Sequence, residues 1–224
     1  MADKSILSSA IGFGIKEVAD VAFYPANSID VDAEGNVVVA KELPEGVTAD
    51  MVKPLMILDT LKVSTIENTA EQADAKGGKG NAPLIIWDYG REITVSLQDA
   101  VLSDKTLSMM FEKDSEKETG SIITINANTF PGNYAVVGRT FARDINTGKD
   151  HLFTWFVPNA KVNSEVTLTM EAEGDPTVFD MNLRVLRTSD GTMVKMIRAI
   201  KPYDTYEPIN AFDIADSVDP DAEG

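Results

Sequence analysis

The side chains that could do chemistry are one histidine and 36 carboxylates, with no cysteine, in 224 residues. The lack of cysteine removes disulfides, thiolate metal sites and cysteine nucleophiles together, and fits a reducing compartment. His151 sits in an apolar run beside Phe153 and Trp155. A Ser–His pair needs a nucleophile and an orienting acid at that ring, and no G-x-S-x-G elbow exists to supply one. The histidine therefore reads as a packed or interface residue. Asp30-Val31-Asp32-Ala33-Glu34-Gly35-Asn36 begins like a calcium loop, which requires a bidentate Glu at its twelfth position. That position is Lys41, and Glu42 falls one residue late, so the segment reads as a turn entering a strand. Lys76-Gly77-Gly78-Lys79-Gly80 is glycine-rich, but Ala73 and Gly80 stand where a phosphate loop needs Gly and Ser or Thr. Asp88 and Asp99 flank a strand, and nothing local marks them as an acid–base pair. The expectation is no catalytic residue, no metal, no cofactor and no enzymatic activity.

Charge narrows the partners. Twenty basic against 36 acidic residues give −16 at pH 7. A chain that grips nucleic acid needs a basic stripe to displace counterions, and this one repels phosphate on average. Such repulsion suits a wall that nucleic acid slides past. No apolar run reaches the length of about 18 residues that a spanning helix needs, and the first twenty residues show no signal-peptide pattern. Trp87, Trp155, Tyr203 and Tyr206 could stack on sugar rings, although core or interface packing is the commoner use of such residues.

These residues must be held by strands. Lys16–Tyr24, Asn36–Leu43 and Leu55–Glu67 are apolar or β-branched runs bounded by Pro25, Pro44 and Pro54. Asn68–Ala82 has no large apolar residue and clusters Gly77, Gly78 and Gly80, the composition of a flexible loop. Beyond it Ile93, Val95 and Leu97 alternate with Glu92, Thr94, Ser96 and Gln98, the pattern of a strand with one wet face. Val166, Leu168 and Met170 alternate in the same way with Glu165, Thr167, Thr169 and Glu171, and Ser121–Ala127 is a weaker case. Two hairpins are expected. Tyr134–Arg143 and Asp150–Val157 flank Asn146-Thr147-Gly148; Phe179–Thr188 and Thr192–Ile200 flank Ser189-Asp190-Gly191. The first is apolar on both faces, so each face needs a cover. One helix is expected from Ser103 to about Lys113, capped by Ser103 and stapled by Leu102 and Leu107. The chain reads as one mainly β domain over 1–212, with an acidic tail at 213–224.

Gly77–Leu102 is the most distinctive segment. A Gly-Gly-x-Gly-Asn loop leads to an apolar run, Trp87-Asp88-Tyr89, an alternating strand, Gln98-Asp99-Ala100 and a capped short helix. It resembles major tail tube proteins of long-tailed bacteriophages, and elsewhere the likeness is general. The resemblance implies an antiparallel β-sandwich or partly closed barrel with a flanking helix and a long loop. It implies homo-hexameric rings that stack into a tube, with sheet edges sealed by neighbouring copies. Glu92, Thr94, Ser96, Gln98, Glu165, Thr167, Thr169 and Glu171 would line a lumen through which DNA passes without specific binding. The loop, with Glu71, Lys76, Gly77, Gly78, Lys79, Gly80 and Asn81, would order on the adjacent ring. Tape measure, tail terminator and baseplate proteins are the implied partners. The implied location is the virion tail, with assembly in the host cytoplasm and no membrane. The alternatives are a baseplate, tail-completion or capsid-decorating protein, or a carbohydrate-binding β-sandwich.

Overall fold

The computed structural model describes residues 12–15, 20–77, 83–99, 103–110, 112–117, 120–124, 128, 130–163 and 179–202. In chain order the strands are β1 Phe13–Ile15, β2 Asp20–Pro25, β3 Ile29–Val31, β4 Val37–Val39, β5 Met56–Leu58, β6 Leu61–Lys76, β7 Pro83–Asp99, β8 Glu112–Lys117, β9 Gly120–Thr124, β10 Asn133–Asp144, β11 Asp150–Val162, β12 Phe179–Val185 and β13 Lys195–Pro202. One helix, α1 (Asp104–Met110), follows β7. Its start is the expected cap: Ser103 Oγ accepts the Thr106 N–H at 3.1 Å. Its end is earlier than expected, because Glu112–Lys117 pairs with β9 as a strand.

Nine strands form one antiparallel sheet in the order β5-β2-β10-β11-β12-β7-β6, with β1 and β13 paired beside this path. At its centre is the first expected hairpin, β10–β11, paired from Asn133↔Lys161 to Arg143↔Asp150 with one register shift between Tyr134 and Val136. Gly148 supplies the positive φ, and the Asp144 carboxylate accepts the N–H groups of Asn146 and Thr147. The pair is covered on both faces, as its composition requires. On one face Val21, Phe23, Val136, Trp155 and Val157 share a core with Met56 and Leu58 of β5 and with Val95, Leu97, Met181 and Leu183 of β7 and β12. Strands from opposite ends of the sheet meet in that core, so the sheet folds over on itself into a partly closed, sandwich-like barrel. On the other face Ala22, Tyr24, Ala135, Val137 and Phe156 pack against Ile29, Val31 and Val37 of the small β3–β4 sheet.

The second expected hairpin does not form. The turn is real: Gly191 has φ 88°, and Thr188 N–H donates to Thr192 O at 2.9 Å. Hydrogen bonds from Thr188 and Thr192 pull the Asp190 carboxyl down to about 2. Yet β12 and β13 diverge after the turn and share one edge of β11. β12 takes residues 160–162 and β13 takes 151–156. A strand edge already in place offers more backbone hydrogen bonds than a short hairpin alone. The Leu55–Glu67 run is also broken, at Asp59-Thr60, where Thr60 Oγ1 donates to the buried Asp99 carboxylate at 2.5 Å.

The calcium-like segment is a turn docked on the second core. One Asp32 carboxylate oxygen accepts the N–H groups of Glu34 and Asn36, and the other accepts Asn36 Nδ2. The Gly35 carbonyl then accepts Arg139 Nη2 and Thr154 Oγ1, both at 3.0 Å, from facing positions on β10 and β11. Asp32→Ala removes these turn bonds and should cost about 1–2 kcal/mol in urea melts. Calcium or a chelator should leave the melting temperature of the wild-type chain unchanged; a calcium-dependent rise would make the segment a metal site after all.

Candidate assembly surfaces

Alternation along β7 separates a dry face from a wet one. Ile93, Val95 and Leu97 are buried, while Glu92, Thr94, Ser96 and Gln98 open outwards. Neighbouring strands extend this face through Thr65, Glu67 and Thr69 of β6 and Asp180, Asn182 and Arg184 of β12, each in register with it. The side chains bridge the strands: Ser96 Oγ donates to Asn182 Oδ1 at 2.8 Å, Gln98 Nε2 to Asp180 Oδ1 at 2.9 Å, and Arg184 Nε to Glu92 Oε1 at 3.0 Å. Four of the expected lumen residues thus form one polar wall. Glu165, Thr167, Thr169 and Glu171 lie outside the described residues.

The expected flexible loop is a correction. Asn68–Lys76 continues β6 and pairs with β7 as far as Lys76↔Pro83. Small and polar residues suffice there because β7 supplies the β-branched and aromatic partners: Ala75 faces Ile85, Ala73 faces Trp87 and Glu71 faces Tyr89. Glu71 and Lys76 therefore stand on a strand and Gly77 follows it, whereas Gly78, Lys79, Gly80 and Asn81 lie outside the described residues, as does the 213–224 tail. The result is a two-stranded arm whose Leu84, Ile85, Ile86, Trp87 and Tyr89 are all more than half exposed.

A bulge sets which way the arm faces. Thr69 pairs with Glu92 and Glu71 with Tyr89, so Gly90 and Arg91 together oppose Ala70. Gly90 has φ 61°, the left-handed value of a glycine bulge. Strict alternation would put Ile85, Trp87 and Tyr89 on the side of Ile93 and Val95. The extra residue moves them to the side of Glu92, so the polar wall continues into an aromatic patch. An isolated glycine inside a strand pattern is the sequence signal for this bulge.

Among the described residues the arm's first strand is also an open edge: β6 pairs only with β7, which leaves sixteen residues with one backbone row free of a strand partner. Long open edges and contiguous apolar patches are places where another chain attaches.

Of the other candidate residues, His151 is buried with Nδ1 2.9 Å from the Ala199 carbonyl, a packed histidine. Trp155 is 4% exposed. Tyr203 and Tyr206 lie outside the described residues, and of the other two aromatic candidates Trp87 is exposed. Among the described residues no group of three or more His, Asp or Glu is placed to hold a metal ion, and no helix is long and apolar enough to cross a membrane.

A polar wall, an apolar arm and a strand edge without a partner among the described residues lie together on a mainly β scaffold. The sequence model of the YomU/Tube protein family matches residues 47–120 and 110–198, and the chain belongs to that family. It is a phage tube-related structural protein, a component of the virion tail. No curated protein matches it significantly.

Proposed function

We propose that the chain is a tail tube subunit: six copies form a ring, rings stack into a tube, and DNA passes through the central channel while the protein performs no reaction. The observation that carries this reading is the β6–β7 unit, where a sixteen-residue edge open among the described residues, a polar face and an exposed aromatic arm coincide in a tube-family chain. A neighbour's strand would seal the edge and join successive subunits into a continuous barrel. The Glu92–Gln98 face would turn to the lumen, where carboxylates and hydroxyls do not trap a moving phosphate backbone. Assembly would take place in the host cytoplasm, with tape measure, tail terminator and baseplate proteins bounding the tube.

Electron microscopy of the purified protein at rising concentration tests this directly. Rings or tubes with a central channel are expected. A monomer that persists at millimolar concentration, as seen by sedimentation, would end the proposal. The lumen assignment has its own test in Ser96→Lys combined with Asp180→Lys, two wall positions that do not line the groove at the base of the arm. Tails should still assemble, but genome delivery should slow at least tenfold at low salt and recover as salt screens the new cations. Unchanged delivery would place this wall elsewhere.

A further inference from the structure

A concavity lies beside the base of the arm. It has a volume of about 720 Å³ and is bounded by the bulge region of β7, the end of β11, and β12 with the residues that follow it. Its rim carries Arg91, Lys161, Arg184 and Arg187, four cations in a chain with an excess of sixteen negative charges. Lys161 and Arg184 are directly opposite each other in the β11–β12 ladder. Like charges in facing positions destabilise a sheet unless an anion lies between them. Glu92, bound to Arg184, is the one carboxylate lining the groove among the described residues. Between the cations the lining turns apolar at Leu186 and Met193, both partly open.

The arm is its complement. Tyr89, Trp87 and Ile85 present an apolar and aromatic face with Glu71 on it, and Asp74 and Asp88 stand on the reverse face. Aromatic rings with the Glu71 carboxylate among them match an apolar floor bordered by guanidinium and ammonium groups, through burial, ion pairing and cation–π contact together. We propose that this groove is the receptor for the β6–β7 arm of a second copy of the chain. Donor and acceptor surfaces differ, so each copy gives one arm and receives one. Such a heterologous contact propagates around a ring or along a stack instead of stopping at a dimer. The inference rests on the tube-subunit reading and adds to it the surface on which the arm lands.

The absence of cysteine makes the test clean. Ala73→Cys places a thiol opposite Trp87 on the arm and keeps the aromatic anchors, and Met193→Cys places one in the groove. The two single variants are mixed under assembly conditions and oxidised. The main product should be a disulfide that joins an Ala73→Cys chain to a Met193→Cys chain. Charge exchange is the second arm of the test. Lys161→Glu with Arg187→Glu should raise the assembly concentration at least tenfold. Glu71→Lys in the same chain, at the one carboxylate on the docking face, should recover part of that loss. Tubes that form without the cross-link and without rescue would overturn the receptor assignment while the tube reading stands. A disulfide mainly between two Ala73→Cys chains would mean that arms pair with arms and would also overturn it. So would carbodiimide coupling of Lys161 mainly to Asp213–Glu223 or to Glu165–Asp175, since another segment of the chain would then fill the groove. A chain that stays monomeric under all conditions would sink both readings.

Discussion

Gly138→Ala is expected to destabilise the protein by about 3 kcal/mol or more, and Gly138→Val to leave no folded protein at physiological temperature. Gly138 and Trp155 are partners across the β10–β11 hairpin, and a Cβ at residue 138 would lie 2.1–2.3 Å from the indole ring. The ring fills the space a side chain would occupy, and it cannot swing away, because it is buried in the main core among Phe153, Val136 and Val157. Overpacking of a dense core costs roughly 1–3 kcal/mol, and forcing a tryptophan out of its site costs about 3–5 kcal/mol. A domain of ordinary stability, about 5–15 kcal/mol, can lose most of its margin to either. Urea denaturation followed by circular dichroism gives the number. Trp155→Leu should relieve the clash, so Gly138→Ala with Trp155→Leu should be less destabilised than the sum of the two single changes. Strict additivity would show that the glycine and the indole are independent.

What could be read in the sequence follows from where the decisive contacts lie. The alternation of Ile93, Val95 and Leu97 with Thr94, Ser96 and Gln98 is local, and it holds in the structure. So do the Ser103 cap and the Gly148 turn, both decided within a few residues. The two-sided burial of β11 was legible because both alternating sets are apolar. The Asn68–Lys76 strand was not, because nothing in its own composition makes a strand; its partner across the hairpin does. The β12–β13 pairing failed for the same reason, as the turn between them is sound and the competing edge belongs to β11. For the assembly surfaces, the polar residues of β7 announced themselves, but the direction of the aromatic residues did not. That direction depends on one glycine at φ 61°, a backbone event that hydrophobic periodicity does not record.

Replacing the arm's outward aromatic face should weaken assembly severely and spare the fold. Ile85→Ser, Trp87→Ser and Tyr89→Ser together alter residues that are all more than half exposed in the single chain. Urea stability should therefore stay within about 0.5 kcal/mol of wild type. Buried between copies, a Trp or Tyr anchor contributes about 2 kcal/mol or more. Loss of two such anchors and an isoleucine is about 4–5 kcal/mol per contact, so the concentration needed for assembly should rise about a thousandfold. Light scattering against concentration reads this, and an unchanged threshold would show that the arm is not part of the contact. Direction can be tested apart from composition. Gly90→Val penalises the left-handed backbone by about 1–2 kcal/mol and favours the unbulged register, in which Trp87 and Tyr89 turn to the side of Ile93. Deleting Gly90 also removes the bulge, but it keeps Tyr89 opposite Glu71 and the aromatic face where it is. Apart from the added valine the two variants have the same arm side chains, so if the face matters, the deletion should assemble at a lower concentration than Gly90→Val. If they assemble alike, the patch acts through its composition and the bulge has some other purpose.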